Sequence, residues 1–355
     1  MDIKFEKATQ LKQKPDQNSL GFGKYFTDHM FLMDYTKGIG WHDARIVPYG
    51  PLQIDPATMV LHYAQETFEG LKAYRHKNGK ITLFRPEMNA RRMIKSNERL
   101  CMATLDENTF IEAIEELVKI EQDWVPSLKE TSLYIRPFMF ATETSVGVHA
   151  AKSYQFIIIM TPVGAYYPEG VNPVKIWVED EYVRAVKGGT GFAKCGGNYA
   201  ASIAAQEKAQ SQGYTQVLWL DGVERKYVEE VGTMNAMFVI DDKVVTAPID
   251  GSVLPGVTRD SIITLLKDWN IEVEERKLSI DELMDAAKTG RLKEAFGTGT
   301  AAVISPIGQL YYKGEEVQIN DFKTGILTQK LYDTLTGIQW GDVEDKFAWN
   351  HEVKL

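Results

Sequence analysis

The chain has 355 residues, 44% of them apolar and 25% charged, and its 40 Lys and Arg against 49 Asp and Glu give a formal net charge of −9. That length implies two domains at roughly 150 residues each, and the acidic balance excludes the broad basic surface of a general nucleic-acid binder. The 7 Trp, 16 Tyr and 15 Phe exclude a disordered chain, while two cysteines, Cys101 and Cys195, exclude a disulfide framework and point to a reducing, cytoplasmic setting.

The opening residues, MDIKFEKATQLKQKPDQ, hold no apolar run of the secretory kind. The first forty or so residues are polar and punctuated by glycine, and are expected to form an arm and loops. Thr109 to Asp123 reads as an amphipathic helix, with Phe110, Ile114, Leu117, Val118 and Glu121 stepping by three and four. Tyr154 to Met160 reads as a buried strand. The longest uncharged apolar stretch, Phe156 to Pro168, is too short and too broken by Pro and Gly to span a bilayer, so no membrane partner is expected. Residues 165–173, inside the Pro- and Gly-rich run TPVGAYYPEGVNP, are the expected interdomain linker.

Beyond it Val174, Ile176 and Val178 alternate with Lys175, Trp177 and Glu179, as in a half-buried strand. Asn198 to Gln212 is Ala-rich and stops at Gly213, which predicts a helix. Ala236 to Pro248 predicts two strands joined by a turn at Asp241-Asp242. Ser279-Ile280-Asp281-Glu282 is a capping box that opens a short helix. Strands and helices mix without strict alternation. The expected architecture is mixed α/β: two domains, 1–164 and 174–355, with a cleft between them.

Three glycine clusters stand out, at 188–191, 196–197 and 297–302. The last, Gly297-Thr298-Gly299-Thr300-Ala301-Ala302, fits a GxGxxA dinucleotide fingerprint. However, Pro306 stands where the phosphate-facing helix should run, which argues against a nicotinamide site. There is no GxxxxGK[ST] segment, so a P-loop is not supported. As turns, such clusters can still present backbone N–H groups to an anion. His29, His42, His62, His76, His149 and His351 are scattered, none at ligand spacing with Cys or a carboxylate, so no metal is expected.

Three segments carry chemistry. Lys194 follows Phe192-Ala193 and precedes Cys195-Gly196-Gly197, small and apolar flanks that desolvate an amine as a covalent-catalysis lysine requires; a solvated surface lysine is the plainer reading. Glu229 and Glu230 are adjacent before Val231 and point to opposite faces if extended, so one faces inward and needs a cation. Its partner is either an ordinary buried salt bridge or a protonated ring nitrogen. Arg91 and Arg92 open a helix about one turn after Pro86. Adjacent helical positions lie roughly 100° apart, so one faces solvent while the other reaches inward to hold a phosphate.

The motifs FEGLKAY at 68–74, LFRPEMNARRM at 83–93, YIRPF at 134–138, PVGAYYPEG at 162–170, KCGGNYAAS at 194–202, EVGTMN at 230–235, LPGVTRD at 254–260 and FGTGTAAVISP at 296–306 occur in this order. Together they resemble the branched-chain amino-acid aminotransferases, of the class IV, pyridoxal-phosphate fold-type IV family, over nearly the whole chain. The resemblance implies that Lys194 carries pyridoxal 5′-phosphate and shuttles the proton. Glu230 would pair with the pyridine nitrogen, and Tyr199 would bond the ring's 3′ oxygen, with Thr233 and Leu254 beside them. Arg92, Val257, Thr258 and Thr300 would hold the phosphate, the helix start at Val257 suiting an anion. Phe68, Tyr63, Tyr134 and Tyr166 would line the pocket, and Thr300 and Ala301 would offer N–H groups to the α-carboxylate.

Arg136, two residues after Tyr134 on one strand face, would meet the distal carboxylate of glutamate or 2-oxoglutarate; a structural ion pair is the other reading. The implied partners are small amino and 2-oxo acids and a second copy of the chain, in a homodimer. Ala302 and Ser305 stand where some relatives carry a Cys-x-x-Cys pair, so no thiol switch is expected there, and Cys195 is expected to pack as a small hydrophobe. Within the fold a D-amino-acid aminotransferase or aminodeoxychorismate lyase would use the same lysine and glutamate. From another class, a cofactor-free binding module would keep the fold alone.

Overall fold

A run such as Phe156-Ile157-Ile158-Ile159-Met160 is buried best inside a sheet covered on both faces, and the structure places it there. It lies in the strand Ser153–Val163, at the middle of a nine-stranded sheet. The computed structural model describes residues 1–164 and 171–355. Most of the expected 165–173 linker, and Tyr166 with it, lies outside the described residues.

The first unit takes residues 1–164, 193–196 and 337–355. Its sheet runs Lys4–Phe5, Gly40–Pro48, His29–Thr36, Ser153–Val163, Ser132–Ala141, Leu71–Arg75, Ile81–Phe84, Asn350–Glu352, with Glu66–Phe68 paired to Ser132–Ala141 off that path. All pairings are antiparallel except Lys4–Phe5 with Gly40–Pro48. The predicted amphipathic helix is Glu107–Ile120, capped by the Asp106 side chain on the Thr109 N–H. Its Phe110, Ile114, Leu117 and Val118 enter one core with Phe31, Phe156 and Ile135. Each such side chain contributes about 1.5–3 kcal/mol by burial.

Two expectations are corrected here. Residues 29–36 are a paired strand rather than part of an arm, because Phe31, Leu32 and Met33 bury between two neighbouring strands. The chain also does not divide as 1–164 and 174–355. Asn350–Glu352 zips onto Ile81–Phe84, and the Trp340 indole donates to the Thr131 carbonyl at 3.0 Å, so the C-terminal segment belongs to the first unit.

The second unit takes 171–192 and 197–336. Its sheet runs Val228–Val231, Gln216–Leu220, Val174–Glu179, Val303–Tyr312, Leu292–Gly299, Met234–Ile240, Lys243–Thr246, Val273–Glu275, and Glu315–Gln318 pairs with Val303–Tyr312. Val228–Val231 also pairs with Met234–Ile240, which closes six strands into a ring. The Asp241-Asp242 turn appears as expected, both residues at positive φ as a two-residue hairpin of this hand needs. Ser279 caps the helix Ile280–Lys288 through the Glu282 N–H. The helix expected over 198–212 is interrupted. Gly196–Ala200 and Ile203–Ser211 are separate, with the Ser202 hydroxyl donating to the Tyr199 carbonyl at 2.7 Å at the break. The segment 297–302 joins the antiparallel strands Leu292–Gly299 and Val303–Tyr312. It is a strand–turn–strand, without the helix a dinucleotide fingerprint requires. Among the described residues no helix is long and apolar enough to cross a membrane.

Candidate active site

The lysine segment is stitched into the first unit by its backbone. The Lys194 N–H donates to the Ser96 hydroxyl at 2.9 Å, and the Lys194 carbonyl accepts from the Phe68 N–H at 3.0 Å. The Gly196 N–H donates to the Glu66 carboxylate, and a Cβ there would fall 2.2 Å from that oxygen, so a larger residue would have to displace the carboxylate. Lys194 is half-buried, its Nζ 4.8 Å from the centre of the Phe68 ring. Cys195 is buried and enters no disulfide among the described residues.

Ser96 sits on the helix Pro86–Arg99, whose Pro86 occupies its first turn. The two arginines on that helix part as the helical geometry requires. Arg91 is exposed and pairs with Glu107, at 2.8 and 3.1 Å. Arg92 is buried and grips Glu69 with two bonds, Nε to Oε1 at 2.7 Å and a terminal nitrogen to Oε2 at 2.8 Å. Glu69 has no exposed surface and also accepts from the Asn89 amide at 2.7 Å. Burial pushes its carboxyl up, but the Arg92 guanidinium, helped by Lys194 and Asn89, outweighs burial and holds it below the usual range.

Tyr134 and Arg136 share one face of the strand Ser132–Ala141, as expected. Arg136 donates to the Tyr134 hydroxyl at 3.0 Å and to the Glu69 carbonyl at 2.9 Å, and its guanidinium lies 4.8 Å from the Phe68 ring centre. It enters no ion pair among the described residues, so the structural-pair reading is not what this unit holds. Gly70 makes room for Tyr134, since a Cβ there would fall 2.1 Å from the phenol oxygen. Tyr63 is exposed at the end of the short helix Val60–Tyr63, its hydroxyl donating to the Val146 carbonyl.

Sequence reasoning missed Lys72. It pairs across the sheet with Tyr134, hence shares its face, and burial lowers its amine to about 7. The signal was a lysine flanked by Leu71 and Ala73 in a strand run. Thr161 also pairs with Tyr134, and its buried hydroxyl has no partner among the described residues.

In the second unit both Glu229 and Glu230 are buried, where the sequence required only one to face inward. Each face of the strand Val228–Val231 is covered, because the strand closes the six-stranded ring. Glu230 lies 2.5 Å from the Arg184 Nε and accepts from the Asn235 amide at 2.9 Å and the Leu254 N–H at 3.3 Å. Glu229 accepts from the Ser252 hydroxyl at 2.5 Å. Glu230 lines a pocket with Tyr199, Thr233 and Leu254, all expected, and with Arg184, Asn198, Ser202 and Gly232, which the sequence did not reveal. Asn198 is locked by paired bonds to Thr190, which puts the Gly188–Gly191 turn to use.

Val257 and Thr258 open the helix Val257–Asp268 behind Gly256, which supplies no side-chain cap. The first helical bond runs from the Asp260 N–H to Gly256, so the preceding amides are left for an anion. A Cβ on Gly256 would meet the Asn235 side chain at 2.1 Å. Thr298, cross-strand from Asn235, keeps a buried hydroxyl without partner among the described residues. Thr300 and Ala301 lie in the following turn, half-buried.

Comparison with known proteins places the chain in a family. The model of the family described as amino-transferase class IV matches residues 66–310. A branched-chain-amino-acid aminotransferase 2 of Bacillus subtilis (strain 168) is 55% identical over 351 residues, 99% of this chain and 97% of that protein. The crystal structure of the Escherichia coli branched-chain amino acid aminotransferase is 27% identical with a TM-score of 0.76, covering 91% of this chain and 99% of that one. The T.th. branched-chain amino acid aminotransferase with pyridoxamine 5′-phosphate is 26% identical with a TM-score of 0.74, covering 91% and 98%.

Lys72 generates a stability expectation. Its folded amine titrates near 7 and its unfolded amine near 10.5. Between those values the unfolded state binds the extra proton, so this residue makes stability rise with pH, and its cost is fullest below the folded value. Lys72→Met is expected to gain roughly 1–3 kcal/mol at pH 7, a gain that closes as pH approaches 10.5. Urea unfolding across that range measures it. A difference from wild type that does not vary with pH would show that Lys72 is buried as the cation.

Proposed function

The chain belongs to the class IV aminotransferases, and on that premise we propose the reaction and the roles of its residues. It is a branched-chain-amino-acid aminotransferase: it moves the amino group of leucine, isoleucine or valine reversibly to 2-oxoglutarate, giving a branched-chain 2-oxo acid and glutamate. The observation that carries the site assignment is the Lys194 segment. Its backbone is fixed on both sides by Ser96 and Phe68 while its amine stands over the Phe68 ring.

The donor set fits pyridoxal 5′-phosphate. The uncapped amides at Val257 and Thr258, the unpartnered Thr298 hydroxyl in the same unit, and the buried carboxylate of Glu230 are what a phosphate and a pyridinium need. When bound, the group supplies the electron sink that makes the amino acid's Cα–H acidic. Lys194 would hold the group through its amine and, with that amine released, would carry the proton to and from the substrate Cα as general base and acid. Glu230 would present its carboxylate to the ring nitrogen and Tyr199 its hydroxyl to the ring oxygen, with Thr233 and Leu254 beside the ring. Arg92 and Thr300 join the phosphate donors. Arg92 keeps its bidentate hold on Glu69, which orients the guanidinium.

Phe68 and Tyr134 offer apolar faces to an aliphatic side chain. Thr300 and Ala301 offer N–H groups to the α-carboxylate. Arg136, bound to a neutral hydroxyl and a backbone carbonyl, keeps its charge for the distal carboxylate of the acidic substrate. An apolar pocket alone would reject that carboxylate. The same residues thus serve both half-reactions in turn, in a ping-pong cycle. Tyr63 is the further residue proposed for the aliphatic side chain.

The working form is a homodimer in the cytoplasm, where both cysteines stay reduced. Leu61, Val146 and Val148 stand 55%, 80% and 82% exposed, and the Tyr63 hydroxyl ties their two segments together through the Val146 carbonyl. A second copy covers this patch.

Lys194→Ala is expected to abolish transfer from leucine to 2-oxoglutarate and to remove the visible absorbance of the holoenzyme. Turnover above a small fraction of wild type would reassign the lysine. Arg136→Leu is expected to raise KM for glutamate and 2-oxoglutarate by at least about tenfold, the loss of a charged hydrogen bond, with leucine nearly unchanged. Equal losses for both would make Arg136 a scaffold residue. Sedimentation should show a dimer at assay concentration; an active monomer would contradict the reading.

A further inference from the structure

Two adjacent carboxylates, both buried, demand compensation that a single guanidinium cannot give to each equally. Glu230 has Arg184 at 2.5 Å and N–H donors from Asn235 and Leu254 on its other oxygen, a set that satisfies an acceptor-only, ionised carboxylate. Glu229 enters no ion pair among the described residues. Its Oε1 accepts from the Ser252 hydroxyl, and its Oε2 is buried without a partner. Resting on the role of Glu230 given above, we infer that Arg184 is a positioning residue that keeps Glu230 ionised and aimed, and that Glu229 is held beside it as a neutral acid.

The surroundings of Arg184 are built for this. Its side chain is 8% exposed. A terminal nitrogen donates to two backbone carbonyls, Gly191 at 3.1 Å and Ser252 at 2.5 Å, which fix the plane of the guanidinium and leave Nε toward Glu230. That approach lies off the N–H axis, so charge rather than an aligned hydrogen bond couples the two. Gly191 allows the loop to close, since a Cβ there would fall 2.2 Å from the Ser252 carbonyl oxygen. Ser252 therefore serves both carboxylates: its carbonyl holds the cation of Glu230, and its hydroxyl satisfies Glu229. Upstream, the buried Glu179 accepts the N–H groups of Glu181 and Tyr182 at 2.8 and 2.9 Å and shapes the turn that delivers Arg184. Burial, with Glu230 adding to it, pushes the Glu229 carboxyl above its ordinary range despite Ser252 and Arg184.

The test combines kinetics of the holoenzyme with infrared spectra of the protein near neutral pH. Arg184→Gln is expected to shift the acidic limb of the kcat profile upward by about 1–3 pH units. It should also add a protonated-carboxyl band that disappears in the Arg184→Gln, Glu230→Gln double variant. Arg184→Lys should restore the limb. Glu229→Gln should leave the limb in place and remove a protonated-carboxyl band already present in the wild type. A uniform loss of kcat with an unmoved limb, no rescue by lysine, or a wild type without that band would overturn the inference. The infrared arm decides the protonation states even if Arg184→Gln does not fold, because Glu229→Gln and the wild type suffice. Full activity in Glu230→Gln would instead refute the role of Glu230 and leave the infrared assignment standing.

Discussion

The contact on which the rest of the first unit leans is the two-bonded pair between Arg92 and Glu69. Neither charge is tolerable in that place alone, and removing one partner of such a pair costs about 3–5 kcal/mol. The pair therefore fixes the helix Pro86–Arg99 against the turn that follows Glu66–Phe68. That helix carries Ser96, whose hydroxyl donates to the Arg92 carbonyl and accepts from the Lys194 N–H. The strand before that turn ends at Phe68, whose N–H bonds the Lys194 carbonyl, and the Glu69 carbonyl receives the Arg136 guanidinium. The positions of Lys194 and Arg136 are thus set by one buried ion pair.

The second unit solves a related problem differently. It buries two carboxylates side by side and supplies one cation, so the two must differ in charge. Closure of six strands into a ring is what buries both. The first unit thus carries the buried Arg92 guanidinium and the Lys194 amine, and the second the two buried carboxylates.

Much of this was legible in the sequence where the rule is local. The opposite facing of Arg91 and Arg92 follows from helical geometry, the Asp241-Asp242 turn from hairpin chemistry, and the common face of Tyr134 and Arg136 from strand alternation. What was not legible depends on distant partners. Residues 29–36 mix His29, Asp34 and Thr36 with apolar residues, and become a strand only because residues 153–163 lie alongside. His29 looks isolated in sequence yet is buried against Glu121. Arg184 sits in a charged loop with no local mark, and its role appears only with Glu230 beside it. The burial of Glu229 beside Glu230 was not legible, because alternation alone cannot reveal that both faces of a strand are covered. The C-terminal strand escaped notice because three residues, Asn350–Glu352, carry too little pattern.

The central claim is that Lys194 is the amine that holds the cofactor. Borohydride reduction of the holoenzyme followed by peptide mass spectrometry tests it most directly. The expected result is a phosphopyridoxyl mass increment on the peptide containing Lys194 and on no other lysine. An increment on Lys72, whose amine burial lowers to about 7 on the face of Tyr134, or on Lys187, would contradict the account.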